Sequence, residues 1–213
     1  MNIILSQRIG TNPHGVTMDS LESDYVRYFS SLGANCFPIS NFCSDIQAWL
    51  ANMSDDRIIL TGGNDVHEDN DYIKYRNDVE TALIRYAIEK HIPLLGVCRG
   101  MQFIHHYFGG KLKKISGHVR TTHALTLTSS PVFNLTKRAD DIVVNSYHSN
   151  TLDETTTSPD LEILARCQSD QTIEAIAHKK YPILGIMWHP ERNSLEQDEA
   201  FNRELIRKFF GIE

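Results

Sequence analysis

A chain of 213 residues with 41% hydrophobic side chains can build one globular domain with a substantial core, and no apolar run approaches the about 20 residues that span a bilayer. Acidic residues outnumber basic ones, 27 to 21, for a net charge of −6, which argues against nucleic acid as partner because phosphate binding needs a concentrated positive surface. A small phosphorylated ligand stays open, since a few local cations suffice.

Met1 to Ser6 lacks the basic start and apolar stretch of a signal peptide. Cys36, Cys43, Cys98 and Cys167 include no CxxC pair, so a cytoplasmic, reducing setting without a disulfide scaffold is expected. The ten histidines show no HxxxH or HExxH spacing. His105 and His106 are adjacent on a predicted helix, where neighbours point about 100° apart, so they are read as structural or solvent-facing.

Short apolar runs alternating with amphipathic patterns predict a doubly wound α/β domain over residues 1–213, with a mostly parallel sheet, helices on both faces and extra antiparallel strands in the second half. Asn2 to Gln7 is the first predicted strand. Asp19 opens a helix, with Glu22 completing a capping box and Gly33 closing it. Asn35 to Ile39 is the second strand, Asp45 to Ala51 a short helix, and Arg57 to Leu60 the third strand. A helix from Asn77 to Lys90 puts Val79, Leu83, Ile84, Ala87 and Ile88 on one face. Pro93 to Cys98 reads as a strand buried on both sides, followed by a helix from Gly100 to Phe108. Thr122–Thr128, Asp141–Asn145, Leu161–Cys167, Thr172–Ala177 and Tyr181–Trp188 read as further strands. Leu152–Asp160 reads as a polar surface loop, and Glu196–Phe210 as the closing helix.

Gly96-Val97-Cys98-Arg99-Gly100 lies between a strand and a helix, the context a nucleophile elbow requires. The helix N-terminus supplies N–H groups and a positive dipole end that favour a thiolate and a neighbouring oxyanion. The bland alternative is a buried structural cysteine. A cysteine nucleophile needs a base and an orienting group, and Trp188-His189-Pro190-Glu191 follows another apolar strand. Pro190 stops that strand, so His189 and Glu191 project at the carboxyl edge where Cys98 also sits. Thr61-Gly62-Gly63-Asn64-Asp65 is either half of an oxyanion hole or an ordinary Gly-Gly turn.

Taken together, GVCRGMQ, Val144 to His148 and Trp188 to Asn193, with Tyr25-Val26 and Arg76 to Glu80, resemble class I glutamine amidotransferases. They are more similar still to the stand-alone γ-glutamyl hydrolases of the peptidase C26 type. The resemblance implies a flavodoxin-like fold, Cys98 as nucleophile, His189 as base and later acid, and Glu191 as its orienting group. It further implies an oxyanion hole of Gly63 and Arg99, with Gln102, Ser146 and Tyr147 holding the glutamyl end. Arg76-Asn77 departs from the Arg-Asp usual in the family, which puts an ion-pair role for that acid in question.

The implied reaction needs no metal or organic cofactor. Its substrate would be a small γ-glutamyl amide with a larger leaving group, in one reading a nucleotide amide of capsular polysaccharide biosynthesis. Arg8, Arg192 and the Lys111/Lys113/Lys114 cluster are the candidate contacts for such an anion. Alternatives are a γ-glutamyl-γ-aminobutyrate-type hydrolase of amine catabolism, a glutaminase subunit feeding a separate synthetase, and a non-catalytic binding protein. Apolar helix patches could serve the core or a homodimer equally.

Overall fold

Leu94–Val97 and Ile183–Ile186 are buried at every position, the pattern of strands packed on both faces, and they pair in parallel at the middle of the sheet. The computed structural model describes residues 1–53, 56–67, 72–128, 142–192 and 199–212.

In chain order the first half contains β1 (Asn2–Leu5), β2 (Arg8–Thr11), β3 (Thr17–Ser20), α1 (Ser23–Ser31), β4 (Asn35–Pro38), α2 (Ile46–Ala51), β5 (Asp56–Leu60), α3 (Ile73–Lys90), β6 (Leu94–Val97) and α4 (Arg99–Tyr107). The second half contains β7 (Leu112–Lys114), β8 (Val119–Leu127), β9 (Val143–Tyr147), β10 (Asn150–Leu152), β11 (Leu161–Cys167), β12 (Ile173–His178), β13 (Ile183–Ile186) and α5 (Glu199–Phe210). The central sheet runs β4-β1-β5-β6-β13-β12-β11-β8-β9. It is parallel from β4 to β13 and antiparallel from β13 to β9.

Helices cover both faces. Tyr25 and Phe29 of α1 and Phe201, Leu205 and Phe210 of α5 pack in one apolar cluster with β1, β6 and β13. On the other face, Leu50, Val79, Leu83, Met101 and Ile104 pack against Ile4, Ile58 and Leu94. Each such fully buried side chain contributes about 1.5–3 kcal/mol, against about 1 kcal/mol for an ordinary hydrogen bond, so this layered burial dominates the fold. Among the described residues no helix is long and apolar enough to cross a membrane.

Three local expectations are corrected. The first strand stops at Leu5, and Arg8 starts an antiparallel hairpin, β2–β3, that reaches Ser20. Asp19 therefore sits in a strand and starts no helix; its carboxylate accepts from Ser40 Oγ and Asn41 Nδ2, both at 2.6 Å. Glu22 is itself the N-cap of α1 and no capping box forms, because its carboxylate is drawn off by two arginines. Leu152–Asp160 is a loop as expected, with Leu152 closing β10, which pairs with β7, and a 3-10 turn at Glu154–Thr156. The long helix starts at Ile73, four residues earlier than its apolar stripe suggests. The start expected for the closing helix, at Glu196, and Asp141, the first residue of the strand expected there, lie outside the described residues, and that strand begins at Val143.

Candidate active site

The carboxyl ends of β1, β5, β6 and β13 meet at one rim, and a cavity of about 510 Å³ opens there. Cys98, Gln102, Gly63, Tyr147, His189 and Arg192 are among its lining residues. This is where parallel sheets of this kind place ligands.

The elbow is built by steric necessity. Cys98 caps α4 with φ 53° and ψ −104°, a conformation L-residues rarely hold, and its N–H is tied to the Ile186 carbonyl at 2.8 Å. A side chain at Gly100 would bring Cβ to 2.1 Å from the Leu60 carbonyl oxygen, and one at Gly96 would meet the Gly100 backbone at 2.6 Å. Both glycines are therefore required for strand and helix to approach this closely.

His189 is buried beside Cys98 and lies 2.7 Å, through Nδ1, from Glu191 Oε1. Burial pulls the imidazole down, but the charge of Glu191 and then the hydrogen-bonded Cys98 outweigh it and raise His189 to about 9. At neutral pH the ring holds a proton between a carboxylate and the sulfur. Asn145, to which the sequence reading gave no role, clamps this turn: Oδ1 accepts from the His189 N–H at 2.8 Å and Nδ2 donates to the His189 carbonyl at 2.9 Å. Tyr25 is a second unforeseen contributor. Its hydroxyl accepts the Gly62 N–H at 2.9 Å beneath the site, and burial followed by the Glu191 charge raises its pKa well above the ordinary value.

The Gly62-Gly63 turn is held from behind by Arg76, a wholly buried guanidinium that donates to the carbonyls of Thr61 at 2.6 Å and Gly63 at 2.5 Å. Glu80 sits between Arg76 and Arg99 and offsets one of their two positive charges, and Ser6 donates to it at 2.8 Å. Arg99 also donates to Asn77 Oδ1. Where the family has an acid, the amide oxygen of Asn77 thus serves as a neutral acceptor, and Glu80 supplies the ion pair. Gly63 has φ +80°, and its missing side chain leaves room for the Arg8 guanidinium.

Gln102 lies one turn beyond Cys98, and its Nε2 donates to the Asn150 carbonyl at 3.2 Å. Ser146 is wholly buried, with its hydroxyl donating to the His118 carbonyl at 2.8 Å, and it is the neighbouring Tyr147 that lines the cavity. Arg8 and Arg192 both line the cavity mouth and share the Glu22 carboxylate. Arg192 also lies 4.5 Å over the Tyr147 ring. Lys114 is an exposed partner of Asp65, at 3.4 Å. Side chains able to ligate a metal gather near Glu174 and Asp170, behind β9 rather than at Cys98.

Strand, elbow, helix and the neighbouring His–Glu turn together define a glutamine amidotransferase-like domain. A glutamine amidotransferase from Thermotoga maritima superposes with a TM-score of 0.72 at 14% identity, covering 98% of this chain and 97% of that one. The family model for Peptidase C26 matches residues 4–191, and the chain belongs to that family. It is 33% identical over 157 residues to the γ-glutamyl-CDP-amidate hydrolase of Campylobacter jejuni, covering 73% of this chain and 70% of the relative. It is 30% identical over 175 residues to anthranilate synthase component 2 of Saccharolobus solfataricus, covering 81% and 86%.

Proposed function

We propose that this hydrolase-family chain cleaves γ-glutamyl amides through a thioester on Cys98. The observation that carries the reading is the buried Cys98–His189–Glu191 array at the carboxyl rim, with the cysteine strained at a helix N-terminus. The sulfur attacks the γ-carbonyl, and the oxyanion is taken by backbone N–H groups of Gly63 and Arg99. His189 gives its proton to the leaving nitrogen as the C–N bond breaks. Water, deprotonated by His189, then cleaves the thioester and releases glutamate. Gln102, Tyr147 and the backbone at Ser146 hold the glutamyl end.

The leaving group we favour is an anionic nucleotide amide, as in γ-glutamyl-CDP-amidate. The Campylobacter relative's name and the Arg8/Arg192 pair at the mouth both support it. Two guanidiniums against one Glu22 carboxylate leave one positive charge there. The tie to capsule assembly and to the cytoplasm stands or falls with that substrate. A second reading, a glutaminase subunit working with a separate synthetase, is supported by the likeness to anthranilate synthase component 2.

Glutamate release from γ-glutamyl-CDP-amidate, γ-glutamyl-γ-aminobutyrate and glutamine tests both. The proposal expects the nucleotide amide to be used best, with Cys98→Ala inert. Glutamine hydrolysis appearing only with an added synthetase would favour the subunit reading instead.

A further inference from the structure

Behind β9, four side chains from distant parts of the chain point at one another. Glu174 of β12 is wholly buried, and neither carboxylate oxygen has a hydrogen-bond partner among the described residues. Three imidazoles face it: His123 Nε2 at 3.3 Å from Oε2, His148 Nε2 at 3.5 Å from Oε1, and His118 Nδ1 at 3.7 Å from Oε1. A carboxylate buried this deeply needs a positive group beside it, either a proton on one of these imidazoles or a cation held among them.

The far side of two rings fixes what they present to the centre. His148 Nδ1 lies 3.0 Å from the Asn150 carbonyl, which only an N–H can satisfy, so the neutral ring turns an Nε2 lone pair toward Glu174. His118 Nε2 lies 2.8 Å from Asp170 Oδ2, which likewise leaves a lone pair on Nδ1. Ser146 does not donate to that lone pair, because its hydroxyl proton goes to the His118 carbonyl at 2.8 Å. Asp170 is itself fixed by the Thr172 hydroxyl at 2.6 Å. A carboxylate bonded to the outer nitrogen of an imidazole whose inner nitrogen is bare is the arrangement that orients histidine on zinc.

The spacing also fits. Ligands about 2.0–2.1 Å from a tetrahedral ion lie roughly 3.3–3.5 Å apart, close to the His123 and His118 separations above. The donor atoms of His118, His123 and Glu174 lie within 4.8 Å of one another. We propose that His118, His123 and Glu174 bind a zinc-class divalent cation, with the fourth position left to water and His148 packed beside Glu174. The ion would tie β8 to β12, bracing the Ser146–Tyr147 edge of the active site from behind. It takes no part in the attack on the substrate, and the inference does not depend on the reaction assigned to Cys98.

Zinc can also bind a cysteine–histidine pair, so the test uses untagged protein carrying Cys98→Ala. Zinc alone is titrated against a chelating dye, and cobalt(II) is added separately to read coordination from its visible absorption. The expected result is one tight zinc per chain and the intense bands of tetrahedral cobalt. Adding His123→Ala, at the rim of the cluster, should weaken zinc at least about 100-fold and abolish the bands; adding Asp170→Asn should weaken it about 10-fold. Circular dichroism confirms that each variant is folded. Zinc affinity unchanged by His123→Ala in folded protein, or no tetrahedral cobalt spectrum in the parent, overturns the proposal.

Discussion

Glu80→Ala removes the single carboxylate that lies between two buried guanidiniums, Arg76 and Arg99. Breaking a buried pair by deleting one partner costs about 3–5 kcal/mol, because the remaining charge is stranded. Here the lower end applies: Arg76 keeps the carbonyls of Thr61, Gly62 and Gly63, and Arg99 keeps Asn77 Oδ1. A loss of about 3 kcal/mol lowers the melting temperature of a domain this size by roughly 6–12 °C. The same change should slow turnover, since Arg76 holds the Gly62-Gly63 turn in place from behind. Calorimetric melts and urea titrations of Glu80→Ala would be compared with Asp78→Ala, an exposed acid on the same helix whose ion-pair partner among the described residues is Lys74. A Glu80→Ala midpoint within 2 °C of the parent, by the scaling above, would refute the claim that this pair braces the site.

Other outcomes follow from the same geometry. Gly100→Ala should destabilise the protein severely, because Cβ would lie 2.1 Å from the Leu60 carbonyl, whereas Gly10→Ala, with open space around it, should leave the melt unchanged. His189 sits above its ordinary 6.5, at about 9, so the stability of its charge pair is complete below 6.5 and is lost as pH rises through 9. kcat/KM should fall along the same limb, and Glu191→Gln should move that limb to lower pH and cut kcat about 10²–10⁴-fold, as read from pH–rate profiles. Arg8→Ala with Arg192→Ala should raise KM for γ-glutamyl-CDP-amidate while sparing γ-glutamyl-γ-aminobutyrate; equal effects on both would remove the basic mouth from the account.

The elbow was legible in the sequence because its constraint is local. Gly96, Cys98 and Gly100 must all belong to one tight turn, and that turn prints itself as five consecutive residues. His189 and Glu191 were legible for a similar reason, as a His-Pro-Glu turn just after an apolar strand, although that strand ends at Ile186 and is not stopped by Pro190. What supports them was not. Asn145 reaches His189 across 44 positions and Tyr25 reaches Gly62 across 37, so although both belong to stretches that carry the family resemblance, no local spacing shows which residue each one holds. The β2–β3 hairpin escaped notice because each strand has only four residues and Ile9 is the only buried apolar side chain between them. Its effect was to misassign Asp19 and Glu22, residues whose capping-box spacing is real but whose carboxylates have stronger partners elsewhere. Spacing rules gave no sign of the His118–His123–Glu174 cluster, because separate segments bring these side chains together.

The central claim is that the γ-glutamyl group passes through Cys98, and acid-quenched intact-mass spectrometry during turnover of γ-glutamyl-CDP-amidate tests it directly. The account predicts a transient adduct of one glutamyl unit on Cys98, enriched in Glu191→Gln and absent in Cys98→Ala. Sustained glutamate release by Cys98→Ala, with no adduct in the parent, would contradict it.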